Sequence, residues 1–142
     1  MLSVHGYLSE SEPQLSSLVF GVNGLAPPEI DGYLTAAELQ FFTLENDLVY
    51  LSACETGVGA SSTALGTLGL PYALTVAGAA NIVMTLWPID DEATVLFTEE
   101  FFKRLKDGKS KGEALQQTKK LFISHPKYSA PFYWAPFVLY GS

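Results

Sequence analysis

The chain has 142 residues, which fits one domain, and 48% of them are hydrophobic, which is enough for a buried core. Its formal net charge is −7 with only 8 lysines and arginines, which argues against a nucleic-acid-binding protein or a polybasic membrane-binding surface. The single cysteine excludes an internal disulfide and indicates a reducing compartment, so we predict a cytoplasmic protein with one domain over residues 1–142.

The first part of the chain predicts short strands and one capped helix. Residues 2–4 have the character of a strand that His5 and Gly6 break, and "SSLVFG" indicates a second short strand before a loop rich in glycine and proline. Thr35 and Glu38 have the spacing of a capping box, so we expect a helix to begin after Thr35. The run "DLVYLSA" then predicts a strand that is covered on both faces, because it is almost continuously apolar.

The stretch from Thr56 to Ile89 contains no charged residue and is long enough to raise the question of a membrane span. Pro71, Asn81 and Pro88 interrupt it, and its apolar pattern changes midway from helix-like to a compact β-branched run. We therefore predict a buried helix that ends near residue 78, followed by the buried strand "NIVMTLW", and no membrane association.

The last part of the chain predicts two helices and a strand. Asp90 or Asp91 can cap the first helix, whose apolar residues recur four positions apart and which ends at Gly108. Ser110 and Glu113 form a second capping box for a helix that runs to about residue 123. The run "FVLYG" predicts a final short strand.

Strands separated by helices predict an α/β fold with a mostly parallel sheet and helices on both faces. Functional residues of such sheets collect beyond the carboxyl ends of the strands, and both His5 and Cys54 stand at such ends. If their two strands are neighbours joined by a right-handed crossover, both side chains emerge at one edge of the sheet. Their separation of 49 residues is close to the spacing of about 50 between the histidine and the cysteine of caspases.

This pair suits nucleophilic catalysis. A cysteine attacks a carbonyl as its thiolate, and a nearby imidazole or a helix start raises the thiolate fraction. Gly6 and the glycines after Cys54 leave backbone N–H groups open for an oxyanion. The alternatives are a small buried apolar role for Cys54 and a structural role for His5, while Asp90 and Asp91 first suggest a helix N-terminus.

Other kinds of site have less support, and we predict neither a metal nor a cofactor. The loop "GVGASSTALG" lacks the lysine of a P-loop and departs from the dinucleotide-binding spacing. No group of histidine, cysteine and carboxylate residues has the spacing of metal ligands. We interpret His125 as a solvated surface residue, and Tyr133, Trp134 and Phe137 as core aromatics.

Taken in order, six blocks of the sequence resemble one family, the CHAT domains, which are caspase-like cysteine peptidases often found beside TPR repeats. The blocks are "SVHG", "DGYLTAAEL", "LVYLSACETG", "AGAANIVMTLWPIDDEAT", "GKSKGEAL" and "YWAPFVLYG". In the family, the first block carries the catalytic histidine and the third carries the nucleophilic cysteine. The resemblance extends over nearly the whole chain.

The resemblance implies a caspase-like three-layer α/β/α sandwich that hydrolyses a peptide bond of a protein substrate through a thioester. It implies Cys54 as the nucleophile and His5 as its acid/base partner, with the backbone N–H groups of Gly6 and Cys54 holding the oxyanion. Family analogy also suggests an acidic residue near the first specificity pocket, for which Asp90 and Asp91 are the candidates.

Two departures from the family pattern bear on activity. The segment "ASSTALGTLGLPYALTVAGA", residues 60–79, is uncharged where the family usually carries an acidic loop and an arginine-containing helix. The sequence begins four residues before His5, so it resembles the carboxyl-terminal part of a CHAT domain that lacks the N-terminal strands. The exposed sheet edge would then need a separate partner such as a TPR-containing chain, self-association, or the missing N-terminal segment.

Two alternative functions stay open at this point. The first is a non-catalytic caspase-like module, or an inactive fragment, that binds a partner protein. The second is a small-molecule or nucleotide binder that uses the loop after Cys54.

Overall fold

The computed structural model describes residues 5–7, 9, 11–21, 31–51 and 69–141. Six strands are described: β1 His5–Tyr7, β2 Ser17–Val19, β3 Tyr33–Thr35, β4 Val49–Leu51, β5 Ile82–Thr85 and β6 Phe137–Tyr140. The four α-helices of the described part are α1 Ala36–Leu39, α2 Leu70–Val76, α3 Asp91–Lys106 and α4 Lys111–Ile123. Short 3-10 turns cover Pro13–Leu15 and Pro131–Tyr133. The protein therefore has a mixed α/β fold.

The described strands form two small sheets, ordered β1–β2–β3 and β4–β5–β6. The β4–β5 pair is parallel, whereas the other three pairs are antiparallel. The mostly parallel sheet predicted from the sequence is thus not seen in this part of the chain. Only nine residues separate β1 from β2, too few for a crossover helix, and two successive helices return the chain antiparallel between β5 and β6.

The β4–β5–β6 sheet has helices against both faces. Successive strand residues point to opposite sides, so both faces carry apolar side chains that the helices cover. One cluster joins alternate residues of β4 and β5 to α1 and α2: Val49, Leu51, Ile82, Met84, Ala36, Leu39, Leu70, Ala73 and Leu74. A second cluster joins the intervening strand residues to α3 and α4: Tyr50, Val83, Phe137, Ala93, Phe97, Phe101, Ala114 and Phe122. Leu18 of β2 belongs to the first cluster and attaches the smaller sheet to it.

The helix starts predicted from the sequence are confirmed. Thr35 and Glu38 form a capping box before α1, and Ser110 and Glu113 form one before α4, with both reciprocal hydrogen bonds present in each. Of the two aspartates that could cap α3, Asp90 does so.

A glycine follows the end of α2 and of α3, as the sequence predicted. Gly78 (φ 107°) comes just after α2 and Gly108 (φ 82°) just after α3, and such positive φ angles favour glycine. The first part of the helix predicted before Leu70 lies outside the described residues. No helix in the described ranges has the length and apolarity that a membrane crossing requires.

The sequence interpretation is wrong at two places near the N-terminus. His5 and Gly6 do not break a strand but lie within β1, where Gly6 is paired with Leu18 of β2. The strand β3 replaces part of the predicted loop before Thr35 and pairs with β2. Pairing with the same buried strand outweighs the low strand propensity of the neighbouring glycines, which local sequence cannot reveal.

Candidate functional site

The parallel pairing of β4 with β5 creates an edge at which three segments of the chain meet. Leu51 lies opposite Met84, so the carboxyl ends of both strands are on the same side. The amino end of β6 is also there, because Phe137 is paired with Thr85. We call this region, made of residues 85–91 and 131–137 and the end of β4, the carboxyl edge. Side chains beyond such strand ends are the usual functional groups of an α/β sheet.

The predicted dyad is only partly within the described residues. Cys54 lies outside them, three positions after Leu51. The backbone of His5 is in β1 opposite Val19, and the half-buried Gly6 follows it. In the described part, β1 is paired with β2 in the smaller sheet and is not a neighbour of β4. The strand pairing that the sequence suggested for residues 2–4 also lies outside the described residues.

Asp90 and Asp91 both lie at the carboxyl edge, where α3 begins. The Asp90 side chain accepts a hydrogen bond of 3.1 Å from the backbone N–H of Ala93, so it caps the helix. Asp91 is exposed in the first turn of α3. The helix-capping alternative is therefore correct for Asp90, and the two carboxylates make this end of α3 acidic.

An aromatic pair at the carboxyl edge was missed by the sequence interpretation. The Trp87 indole N–H donates a hydrogen bond of 3.1 Å to the backbone carbonyl of Phe132, and the two ring centroids are 6.5 Å apart. Phe132 keeps 53% of its surface exposed. The sequence analysis placed Trp87 within the predicted strand "NIVMTLW", and the proline-flanked aromatic run that contains Phe132 is equally typical of core residues.

Of the three residues interpreted as core aromatics, only Phe137 is fully buried. Tyr133 and Trp134 are half-buried, and the Trp134 indole N–H donates to the backbone carbonyl of Ser129 at 3.0 Å. Their contacts hold the segment before β6 against the body of the protein.

Glu92 joins the start of α3 to the segment after α4. Its carboxylate accepts hydrogen bonds from the Lys127 ammonium at 2.6 Å and from the Tyr128 hydroxyl at 3.1 Å. These two donors lower the pKa of Glu92, and the same pairing raises the pKa of Lys127. The cluster ties α3 to the segment that leads into the carboxyl edge.

His125 is not the solvated surface residue that the sequence suggested. It is half-buried, and its ring stacks on Tyr128 with centroids 4.8 Å apart. Its Nδ1 atom accepts from the backbone N–H groups of Lys127 and Tyr128 at 3.2 and 3.3 Å. These contacts give His125 a structural role in the turn after α4.

Tyr50 of β4 is buried within the second core cluster. Its hydroxyl is 2.8 Å from that of Thr98, which itself donates to a backbone carbonyl, so Tyr50 is the donor. Burial raises the pKa of Tyr50 to about 12, which keeps the phenol neutral. Tyr50 thus fixes the end of β4 to α3.

Within the described ranges, no group of three or more histidine, cysteine, aspartate or glutamate residues is arranged to hold a metal ion.

Comparison with known proteins gives the family. The family model of the CHAT domain matches residues 2–142 of this chain. Tetratricopeptide repeat protein 28 of Mus musculus is 34% identical over 116 residues, which are 82% of this chain and 5% of that protein. The protein of the same name from Homo sapiens is 33% identical over 116 residues, with 82% and 5% coverage. The chain therefore spans a small part of these curated relatives. On this evidence the chain belongs to the CHAT domain family.

Proposed function

We propose that this chain is a cysteine endopeptidase domain, or the catalytic fragment of one, with the caspase-like three-layer architecture implied by its family. Cys54 is the nucleophile, His5 is its acid/base partner, and the substrate is a protein or peptide. Membership of the CHAT domain family over residues 2–142 supports this function.

The observation that carries the proposal is the parallel register of β4 and β5. Leu51 is paired with Met84, so β4 ends at the carboxyl edge beside the segment that contains Asp90 and Asp91. Cys54 is three residues beyond Leu51 in the sequence, and three residues of chain span at most roughly 11 Å. The nucleophile then belongs to the edge at which α/β proteins carry their functional groups.

The proposed reaction proceeds in two steps. The Cys54 thiolate attacks the carbonyl carbon of the scissile peptide bond, and the backbone N–H groups of Gly6 and Cys54 stabilise the oxyanion. The C–N bond breaks as the His5 imidazolium donates its proton to the leaving amine. Water then attacks the thioester carbonyl while His5 accepts a proton from that water. The C–S bond breaks and the carboxylic acid is released, which regenerates the Cys54 thiolate and the His5 imidazolium.

We also propose that Asp90 or Asp91 provides negative charge near the first specificity pocket. Both residues are at the carboxyl edge and exposed, and only Asp90 is engaged as a helix cap. Asp91 can therefore contact a ligand without loss of the cap of α3.

The partner we propose is a TPR-containing chain or segment, because the curated relatives are tetratricopeptide repeat proteins. We place the protein in the cytoplasm, which fits a single cysteine that must stay reduced. Residues 1–142 act as one domain in this proposal, without a cofactor, a metal, a nucleic acid or a membrane.

The test is hydrolysis of a mixed fluorogenic peptide library by the wild-type chain and by Cys54→Ala, His5→Ala and His125→Asn variants. We expect Cys54→Ala to abolish turnover and His5→Ala to reduce it at least about 100-fold, as for other general acid–base residues. His125→Asn is the matched histidine control and should retain turnover, since an asparagine oxygen can accept the same backbone hydrogen bonds. Turnover that survives Cys54→Ala would exclude this mechanism.

A non-catalytic interaction module is the second candidate. The observation that favours it is an exposed aromatic pair after α1, in which Phe41 is 88% exposed and Phe42 is 50% exposed. Adjacent exposed aromatics often mark a protein-binding surface. Binding of a TPR segment that is lost in a Phe41→Ala/Phe42→Ala variant, in a chain without peptidase turnover, would select this function.

A further inference from the structure

We propose that the connection between α3 and α4 is a docking surface for an acidic segment of a partner protein. We call this region, residues 103–111, the basic turn, and its exposed cations are Lys103, Lys106 and Lys109. The docking surface goes beyond the proposed peptidase function. It is at the other end of α3 from the carboxyl edge and includes none of the proposed catalytic residues.

The first support is the distribution of charge along the chain. All 8 lysines and arginines lie between positions 103 and 127, and five of them are in the basic turn. Of the 15 acidic residues, only Asp107 and Glu113 come after position 102. A negatively charged partner is therefore repelled by most of the chain and attracted to this part of it, which orients its approach.

The second support is the place of the basic turn in the fold. The helix α3 begins at the carboxyl edge with its cap Asp90 and extends over 16 residues, about 24 Å, before the chain turns. The Lys111 ammonium then binds the Asp47 carboxylate at 2.8 Å, two residues before β4 begins. The basic turn is thus at the edge of the sheet opposite to the carboxyl edge, where a partner can bind without covering the candidate site.

The third support is that helix stability accounts for only some of these cations. Lys103 and Lys106 are in the last turn of α3, where the negative end of the helix dipole favours them. Lys109 and Lys111 flank the N-cap of α4, where the positive end of the dipole disfavours a cation. Asp47 compensates Lys111, whereas no ion pair among the described residues involves Lys109. An anionic partner beside Lys109 would offset this unfavourable position.

The fourth support is that hydrogen bonds of the backbone hold the basic turn in one conformation. The Gly108 N–H donates to the Leu105 carbonyl at 3.0 Å, and the Lys109 N–H donates to the Arg104 carbonyl at 3.1 Å. Together they form a Schellman motif, in which Gly108 has φ 82°. The capping box of Ser110 begins α4 directly afterwards. A backbone that is ordered before binding loses little conformational entropy when a ligand binds.

The small extent of the basic turn defines the class of partner. A membrane surface or a long nucleic acid presents negative charge over a wide area, so it would also meet the acidic residues of the rest of the chain. A short run of aspartate and glutamate can contact the exposed lysines alone, because charges farther away than about 8 Å are screened at physiological ionic strength. Each lysine ammonium offers three donors to such carboxylates.

The test is fluorescence anisotropy of a labelled peptide of six Glu-Ser repeats, titrated with the whole chain at low ionic strength. A peptide with glutamine in place of glutamate is the neutral probe and should not bind. We expect Lys106→Gln/Lys109→Gln to weaken binding of the glutamate peptide about five-fold, which is the usual effect of losing two exposed ion pairs. Lys106→Arg/Lys109→Arg keeps both charges and should bind as the wild type does, and added salt should weaken binding in both proteins.

Lys120→Gln/Lys127→Gln is the matched control, because it removes the same amount of charge from another part of the basic region. Lys120 is exposed near the end of α4, and Lys127 is paired with Glu92 at the start of α3, so neither is in the basic turn. This variant should bind the glutamate peptide within about two-fold of the wild type, because its charges are beyond the screening distance.

The outcomes separate this surface from other uses of the same charges. Weaker binding that is confined to Lys106→Gln/Lys109→Gln supports the docking surface. Absence of binding, or equal weakening in the control variant, overturns it. Tighter binding of duplex DNA or of phosphatidylserine vesicles than of the glutamate peptide assigns the turn to another class of partner and also overturns it. None of these results depends on peptidase turnover, so the two proposals fail separately.

Discussion

Leu51 of β4 lies opposite Met84 of β5 in a parallel pair, and both side chains are 1% exposed within the same core cluster. This relationship determines the direction in which the chain leaves β4 on its way to Cys54. It also makes the end of β4 a neighbour of the segment that carries Trp87 and the two aspartates at the start of α3.

The Tyr50 hydroxyl predicts that the difference in unfolding free energy between the wild type and Tyr50→Phe closes or changes sign at high pH. Tyr50→Phe removes the hydrogen bond to Thr98 and should cost about 0.5–1.5 kcal/mol at pH 7. Burial raises the pKa of Tyr50 from 10.0 to about 12, so the wild type is fully stabilised below pH 10 and loses this contribution as the pH rises towards 12. Phenylalanine has no such loss.

Urea unfolding of both proteins at pH 7, 10 and 11.5 checks this prediction. The wild type should be the more stable at pH 7, and the difference should close or invert at pH 11.5. A difference that is constant over this range would show that the phenol is not shielded from titration.

The hydrogen bonds to Glu92 predict a contribution to stability that is lost at acidic pH. The hydrogen bonds from Lys127 and Tyr128 lower the pKa of Glu92 in the folded state, so its contribution is present above the unfolded pKa of about 4.3. That contribution is lost as the pH falls through the folded pKa. Glu92→Gln should therefore be less stable than the wild type at pH 7 and nearly equal to it at low pH.

Thermal unfolding at pH 7 and pH 3 measures this difference, with Glu99→Gln as a control on an exposed residue of the same helix. Added salt should reduce the pH 7 difference because the Lys127–Glu92 pair is exposed. An effect of Glu92→Gln that is the same at both pH values would contradict the assignment.

Replacement of Gly78 and of Gly112 by alanine should change the free energy of unfolding in opposite directions. Gly78 has φ 107°, and a Cβ there would clash with the Leu44 backbone carbonyl, so Gly78→Ala should destabilise by at least about 1 kcal/mol. Gly112 lies in α4 with open space at its Cβ position, so Gly112→Ala should stabilise by about 0.5–1 kcal/mol. Chemical denaturation of the two variants gives both values, and effects of the same sign would be inconsistent with this backbone geometry.

The capping box at Ser110 predicts a measurable loss of stability when the Ser110 hydroxyl is removed. Ser110 accepts from the backbone N–H of Glu113 and donates to its carboxylate. Ser110→Ala should cost about 1 kcal/mol of unfolding free energy. Ser129→Ala is a matched control, because Ser129 is exposed and contributes its backbone carbonyl to Trp134. Equal stability of the two variants would argue against a role of the cap.

The local signals of the sequence predicted much of this fold. Capping boxes at Thr35 and Ser110, and the glycine after α3, act within a few residues, so the helix boundaries could be found without knowledge of the tertiary structure. The apolar runs of β4 and β5 identified the buried strands in the same way.

The strand pairing could not be predicted in this way. The direction of a strand depends on how many elements lie between it and its partner and on how these pack, as the antiparallel β5–β6 pair shows. The small β1–β2–β3 sheet depends on Leu18, whose burial is a tertiary property. The sequence therefore indicated the helices and the buried strands β4 and β5, but not the arrangement of the two sheets.

In the candidate site, too, the sequence predicted the residues with local signals and missed those whose contacts form only in the folded chain. Asp90 carries a local capping signal and was found, whereas Trp87 and Phe132 lie 45 residues apart and meet only in the folded chain. Their aromatic character gave no indication of which ring would stay exposed. His125 was misread because its partners, Lys127 and Tyr128, bind through backbone N–H groups that carry no sequence signature.

Activation of the Cys54 thiol by His5, as proposed, predicts that the alkylation rate of this thiol depends on the imidazole. The measurement is the second-order rate of iodoacetamide modification of Cys54 at pH 6.5 in the wild type and in His5→Ala, with His125→Asn as the histidine control. We predict that the wild type and the control react about ten-fold or more faster than His5→Ala, because an adjacent imidazolium stabilises the thiolate. Equal rates in all three proteins would contradict the pairing of His5 with Cys54.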